Sequence, residues 1–242
     1  MFDRVLSCFC LYALFGFFAL GFCGAQLNAE NRNHQFKVYV NGLKVGEFVY
    51  AETFTSNAYA TRGIIRSTGL AAVITQYKFD GEAHGRRSGN TFRPTRYREQ
   101  SDTGNRSSNK EMIYKNGVPK LTSSDAAKEY WLKPSTQKGT IDPMTALMVL
   151  LSEQPKTNPC ATTVDVFDGA RRFSIALSAP KLEKDALICS GVFTRVGGYS
   201  KKEWSKGKDF PFTMRYRVTP SGYEVERFAI TTLLGRASFV RR

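Results

Sequence analysis

Few residues in this 242-residue chain have the type and spacing that do chemistry. It holds two histidines. His34 lies in the polar stretch NRNHQ and His84 in GEAHGRR, read as a loop, so each is expected to be a solvated side chain rather than a general base. No Gly-x-Ser-x-Gly elbow occurs, and no order of Ser, His and Asp suggests a triad. Paired carboxylates stay open, because neighbouring strands can bring any two Asp or Glu together. Asp142, Asp165 and Asp168 have local explanations: a helix cap, a strand residue and a turn. Two histidines and five scattered cysteines are too few for a metal framework, so neither metal nor cofactor is expected. Gly197-Gly198 reads as a strand bend, since KKEW (Lys201 to Trp204) is too brief for the helix that a phosphate-cradling loop leads into. The expectation is a protein without catalytic residues.

The compartment comes from the N-terminus. Residues Val5 to Ala25 carry no charge and are rich in Phe and Leu, with Arg4 ahead of them. Cys23 and Ala25 are small residues two apart, as signal peptidase requires for a cut after Ala25; Ala29 offers a second position. The competing reading is an uncleaved inner-membrane anchor, since 21 apolar residues reach across a bilayer. A lipoprotein is disfavoured by Phe22, where lipobox processing wants a small side chain. All of these readings export the rest of the chain, which places it in the periplasm. Cys8, Cys10 and Cys23 fall in the leader. Cys160 and Cys189 remain, and two cysteines in an oxidising compartment read as one disulfide. Pro159 lets Cys160 leave its strand and bend across to Cys189, two strands over. A redox-active pair expects closer spacing.

Charge is the strongest compositional signal: 35 Lys+Arg against 21 Asp+Glu, a formal net charge of +14. Polar outer faces and guarded sheet edges explain scattered Arg and Lys, but not such a surplus. An exported cation is drawn to phospholipid head groups, lipid A phosphates or acidic glycans, and export removes nucleic acid as the partner. Arg86, Arg87, Lys201 and Lys202 are the candidate anion-binding residues, because turns would carry them beyond the sheet.

The elements that must position these residues are mostly strands. Phe36 to Tyr50 reads as a hairpin about Asn41-Gly42, residues that tolerate the positive φ of a type I′ turn. Further strands are expected at Tyr59 to Arg66, Leu70 to Phe79 (turned by Asp80-Gly81), Phe92 to Glu99 and Met112 to Lys115, before a second Asn-Gly. Gly104 to Lys110 and Ser123 to Thr140 read as mobile loops. Ile141 to Ser152 is the clear helix, capped by Asp142 and opened by Pro143, and apolar nearly all round, so it must be buried. Strands resume at Thr163 to Phe167, Arg171 to Leu177, Ala186 to Val196, Thr213 to Val218, Tyr223 to Ile230 and Ala237 to Val240. The expected fold is mainly β: a curved antiparallel sheet or open half-barrel of about ten strands with one buried helix on its concave face. The expected division is a signal peptide over 1–25, a flexible segment over 26–35 and a single β-rich domain over 36–242.

Several stretches carry a resemblance. They are GLAAVITQYKFDGEAHGR (Gly69 to Arg86), RPTRYRE (Arg93 to Glu99), IDPMTAL (Ile141 to Leu147), VFDGARRFSI (Val166 to Ile175) after Cys160, CSGVFTRVGGYS (Cys189 to Ser200) and FPFTMRY (Phe210 to Tyr216). With these the chain resembles, from Phe36 to Arg242, a bacterial family of exported proteins catalogued as domain of unknown function 3108. The resemblance implies a periplasmic protein with the open half-barrel of the lipoprotein carriers, and it brings no catalytic residues to transfer. An open barrel that holds a helix can also hold an acyl chain, with Met144, Leu147, Met148 and Leu151 as candidate cavity lining. The reading is a non-catalytic periplasmic carrier for an amphiphilic, anionic lipid that touches the membrane peripherally. The alternative is an envelope structural or interaction protein with a filled core. The oligomeric state is not legible.

Overall fold

A computed structural model describes residues 29–69, 72, 76–104, 107–123, 126–232 and 235–242. The leader and its cut after Ala25, Arg106 and most of the stretch from Leu70 to Thr75 lie outside the described residues. Two antiparallel meanders share one sheet. The first contains β1 (Glu30–Val40), β2 (Leu43–Phe54), β3 (Ala58–Ser67), β4 (Lys78–Ser88), β5 (Thr91–Asp102), β6 (Ser107–Lys115) and β7 (Val118–Ser123). The second contains β9 (Thr162–Phe167), β10 (Arg172–Glu183), β11 (Ala186–Gly197), β12 (Asp209–Val218), β13 (Gly222–Thr232) and β14 (Gly235–Arg241), with the two-residue β8 (Gln154–Pro155) paired to β13. Among the described residues fourteen strands form one sheet: thirteen run in the order β7-β6-β5-β4-β3-β2-β1-β14-β13-β12-β11-β10-β9, and β8 lies off this path beside β13. β1 lies in the middle of the sheet; from it the chain steps outward to β7, crosses over, and returns inward from β9 until β14 pairs with β1.

Local chemistry explains the hairpins. Asn41 and Gly42 have φ of 50° and 84°, and Asn116 and Gly117 have 53° and 73°, so both Asn-Gly pairs make the expected tight turns. Alternation sets the faces: Tyr59, Thr61 and Gly63 of β3 are buried while Ala60 and Arg62 are exposed.

Four expectations are corrected. Asp80-Gly81 is not a turn, because β4 runs straight through it. Gly81 stands opposite Gly63, and a Cβ there would lie 2.7 Å from Phe79 Cζ and 3.0 Å from Met144 Sδ, so the glycine makes room for the helix. The segment from Ser107 to Lys110 opens β6, because Lys110 is buried against Glu99. The segment from Glu30 to Gln35 belongs to β1, held by pairing with β2, rather than to a flexible tail. His84 lies on β4, not in a loop, with its side chain exposed. β7 escaped the pattern because Pro119 argues against a strand, yet an edge strand tolerates proline.

The helix α1 (Pro143–Leu151) forms where Asp142 and Pro143 predict it. The carboxylate of Asp142 accepts the Thr145 N–H at 2.8 Å and the Thr145 hydroxyl at 2.6 Å. The helix lies on the concave face against β3, β4, β5 and β9. Around it the core gathers Phe36, Phe48, Tyr50, Tyr97, Met112, Phe167 and Tyr216. The crossover also laces the two sheet edges. Gly139 N–H donates to the Gly117 carbonyl beside β7, while Leu132 and Ile141 donate to Ala170 and Asp165 beside β9.

Candidate functional site

The hairpin turns alternate between the two ends of the sheet. One end, here the upper, carries the start of β1, the β2–β3 and β4–β5 turns, the C-terminal end of α1 and the start of β9. A cavity of about 810 Å³ opens there. Its apolar wall is built by Phe54, Phe92, Ile141, Val149 and Val164, and its polar wall by Arg32, Arg87, Glu153 and the residues about β8.

Strand periodicity aims the two arginines inward. Gly81, Ala83, Gly85 and Arg87 share the concave face of β4, and Arg32 shares that of β1 with buried His34 and Phe36. Both guanidinium groups lie over the Phe54 ring, Arg87 at 5.0 Å and Arg32 at 5.9 Å from its centroid. Arg32 is held by Glu30 at 2.7 Å. Arg87 has no acidic partner among the described residues, and its Nε is buried without a hydrogen bond.

Below Arg32, His34 is only 5% exposed, with Nε2 3.6 Å from Glu52. Its imidazole stacks on Tyr50, whose hydroxyl donates to Glu52 at 3.4 Å. Burial and the Glu52 charge push the Tyr50 hydroxyl well above its ordinary value. Sequence reasoning placed His34 in solvent. The available signal was period two, since His34, Phe36 and Val38 alternate with polar residues in one strand.

The candidate lining residues lie deeper than the cavity. Met144, Met148 and Leu151 are fully buried and Leu147 partly, packed into the core. Met144 fills the notch left by Gly63 and Gly81. Asp142 is completely buried at the helix start, and burial pushes its carboxyl up to about 6 against the hydrogen bonds from Thr145. Tyr59 hydroxyl and Thr145 hydroxyl lie 2.8 Å apart.

The four candidate anion-binding residues are not brought together. Arg86 and Arg87 lie on β4 and face opposite sides, Arg86 outward into solvent. Lys201 and Lys202 lie at the lower end, on the short helix α2 (Lys201–Trp204), which Ser200 and Glu203 close with a capping box. The Arg93–Arg98 cluster is largely a ladder surface: Arg96 pairs with Glu111 and Arg98 with Glu82 at 2.9 Å.

Cys160 and Cys189 form a disulfide, with Cα atoms 5.6 Å apart. Cys160 leaves the ladder ahead of β9 at φ 64°, as bridging two strands over requires. Such a bond belongs to an oxidising compartment. No helix among the described residues is long and apolar enough to cross a membrane. No group of His, Cys, Asp or Glu among them is arranged to hold a metal ion.

A family model described as a protein of unknown function, DUF3108, matches residues 35–184. The chain belongs to the DUF3108 family. A crystal structure from Brucella abortus, a beta-barrel-like protein of domain of unknown function DUF1849, is similar at 10% identity and a TM-score of 0.47. That match covers 89% of this chain and 96% of the other. No curated protein matches. The sheet of this DUF3108 protein is curved but not closed, its edge strands being β7 and β9.

Proposed function

We propose that this DUF3108 protein is a periplasmic, non-catalytic binding module for a small anionic amphiphile, taken at the upper mouth of the half-barrel. The observation that carries the reading is Arg87. It is a guanidinium without an acidic partner among the described residues, laid on Phe54 at the rim of a cavity of about 810 Å³ whose far wall is Phe92, Val149 and Val164. Ligand sites have this size and composition: apolar walls with a few convergent polar groups. The fork of Arg87 suits a carboxylate or phosphate head, with Arg32 beside it, and the apolar wall suits a chain. The site differs from a carrier's deep cavity, because α1 occupies the interior and leaves the ligand the mouth.

The filled interior favours a second reading, an envelope interaction protein without a small ligand. Native mass spectrometry of protein purified from membranes without harsh detergent separates the two. A co-purifying amphiphile lost in Arg87→Glu is expected; a clean apo mass from the wild-type protein supports the second reading.

A further inference from the structure

At the lower end, far from the mouth, two adjoining cavities of about 470 and 310 Å³ share Lys128 and Arg171. They lie along the seam where the crossover segment meets the β9–β10 turn and α2. We propose that this groove is a second binding site, for a phosphorylated saccharide.

The charge is the first ground. Lys128, Lys202 and Lys206 line the smaller cavity. None of the three has an acidic partner among the described residues. The acids nearby are spoken for: Glu203 is bound by Arg171 at 2.9 Å and by the Ser200 hydroxyl at 2.8 Å, and Glu99 by Lys110 at 3.2 Å. Three lysines therefore face one small space uncompensated, which draws a dianion such as a phosphate monoester.

Donors and rings are the second ground, and independent of the lysines. The Trp131 indole N–H, the Ser108 hydroxyl and the Arg171 Nε belong to lining residues of the larger cavity and have no hydrogen-bond partner among the described residues. Orphan donors beside a cavity call for an acceptor-rich occupant. Ser101 and Ser107 add hydroxyls to the same wall. Trp131 lines the larger cavity and Tyr130 the smaller, with Lys128 5.9 Å above the Tyr130 ring. A saccharide ring matches this mixture: its hydroxyls meet the donors, its C–H face meets an aromatic ring, and its phosphate meets the lysines.

Trp131 supplies the readout. The chain has two tryptophans, so Trp204→Phe leaves Trp131 as the sole reporter. In that background α-D-glucose 1-phosphate is expected to change Trp131 fluorescence saturably. Orthophosphate should bind at least about tenfold more weakly, and glucose should give no saturable change. Lys128→Ala with Lys202→Ala should weaken the sugar phosphate at least about tenfold at an unchanged melting temperature, because both lysines are exposed and unpaired. No saturable response to the sugar phosphate, or a response that survives loss of the lysines, overturns the site. Equal affinity for orthophosphate overturns the saccharide.

Discussion

Asp142 shows how one buried residue couples the fold to pH. Its carboxylate caps α1 but sits completely buried, so burial favours the protonated form and raises its pKa to about 6 from 3.8. A raised carboxyl pKa means that the folded state holds the proton over a window where the unfolded chain has released it. The stability due to this group is therefore full below about pH 4 and declines as pH rises to about 6. The shift corresponds to about 3 kcal/mol as an order of magnitude. Asp142→Asn keeps an acceptor for the Thr145 N–H and removes the titration. Denaturant unfolding of both proteins from pH 4 to 7 should show the variant gaining on the wild type through that window. Parallel stability curves would mean that Asp142 titrates normally. The cap was legible in the sequence, because Asp-Pro before an apolar run is a local signal. The burial of Asp142 and Glu52 was not, because it depends on which strands lie alongside.

The elements show the same division between local and non-local signals. Asn41-Gly42 and Asn116-Gly117 turn as expected because both residues adopt positive φ, a property of the dipeptide itself. Asp80-Gly81 carries much the same local signal and is strand, because Gly63 and Gly81 face each other across β3 and β4 and leave the notch that Met144 fills. No pattern within either strand announces a helix packed on them. The Cys160–Cys189 bridge was readable from compartment and count. The roles of Trp131 and Lys128 were not, since the crossover reads as polar loop until its contacts with β9 and β7 are seen. The notch makes an energetic claim. Met144→Ala should cost about 2–5 kcal/mol as a core cavity, and Gly63→Ala, whose added Cβ meets Met144 Cε first, about 1–3 kcal/mol by overpacking. Together they should cost less than their sum, because the added methyl occupies space that the methionine vacated. Strict additivity in urea unfolding would show that Met144 does not depend on the glycine pair.

At the scale of the whole molecule, the +14 is not spread evenly in its effects. Much of the basic surplus on the outer face is engaged across strands: Arg62 with Asp80 at 2.8 Å, Arg215 with Glu226 at 3.0 Å, Arg172 with Asp165 at 2.9 Å. Exposed pairs of this kind are screened by water and salt, so they pattern the surface more than they stabilise it. Arg87 at the upper end and Lys128, Lys202 and Lys206 at the lower end are among the charges without an acidic partner among the described residues, and these four line cavities. A sheet that begins and ends in its own middle, with β1 beside β14, exposes both ends while α1 seals the interior between them. The two proposed binding sites therefore lie at the rims, and the upper rim is the central claim. Isothermal titration of dodecyl phosphate, below its micelle concentration, into the wild-type protein, Arg87→Glu and Val149→Glu tests it most directly. One saturable site is predicted in the wild type, weakened at least about tenfold in each variant, since one loses the charge-assisted contact and the other the apolar wall. Absence of saturable binding in the wild type, or equal affinity in all three proteins, would contradict it.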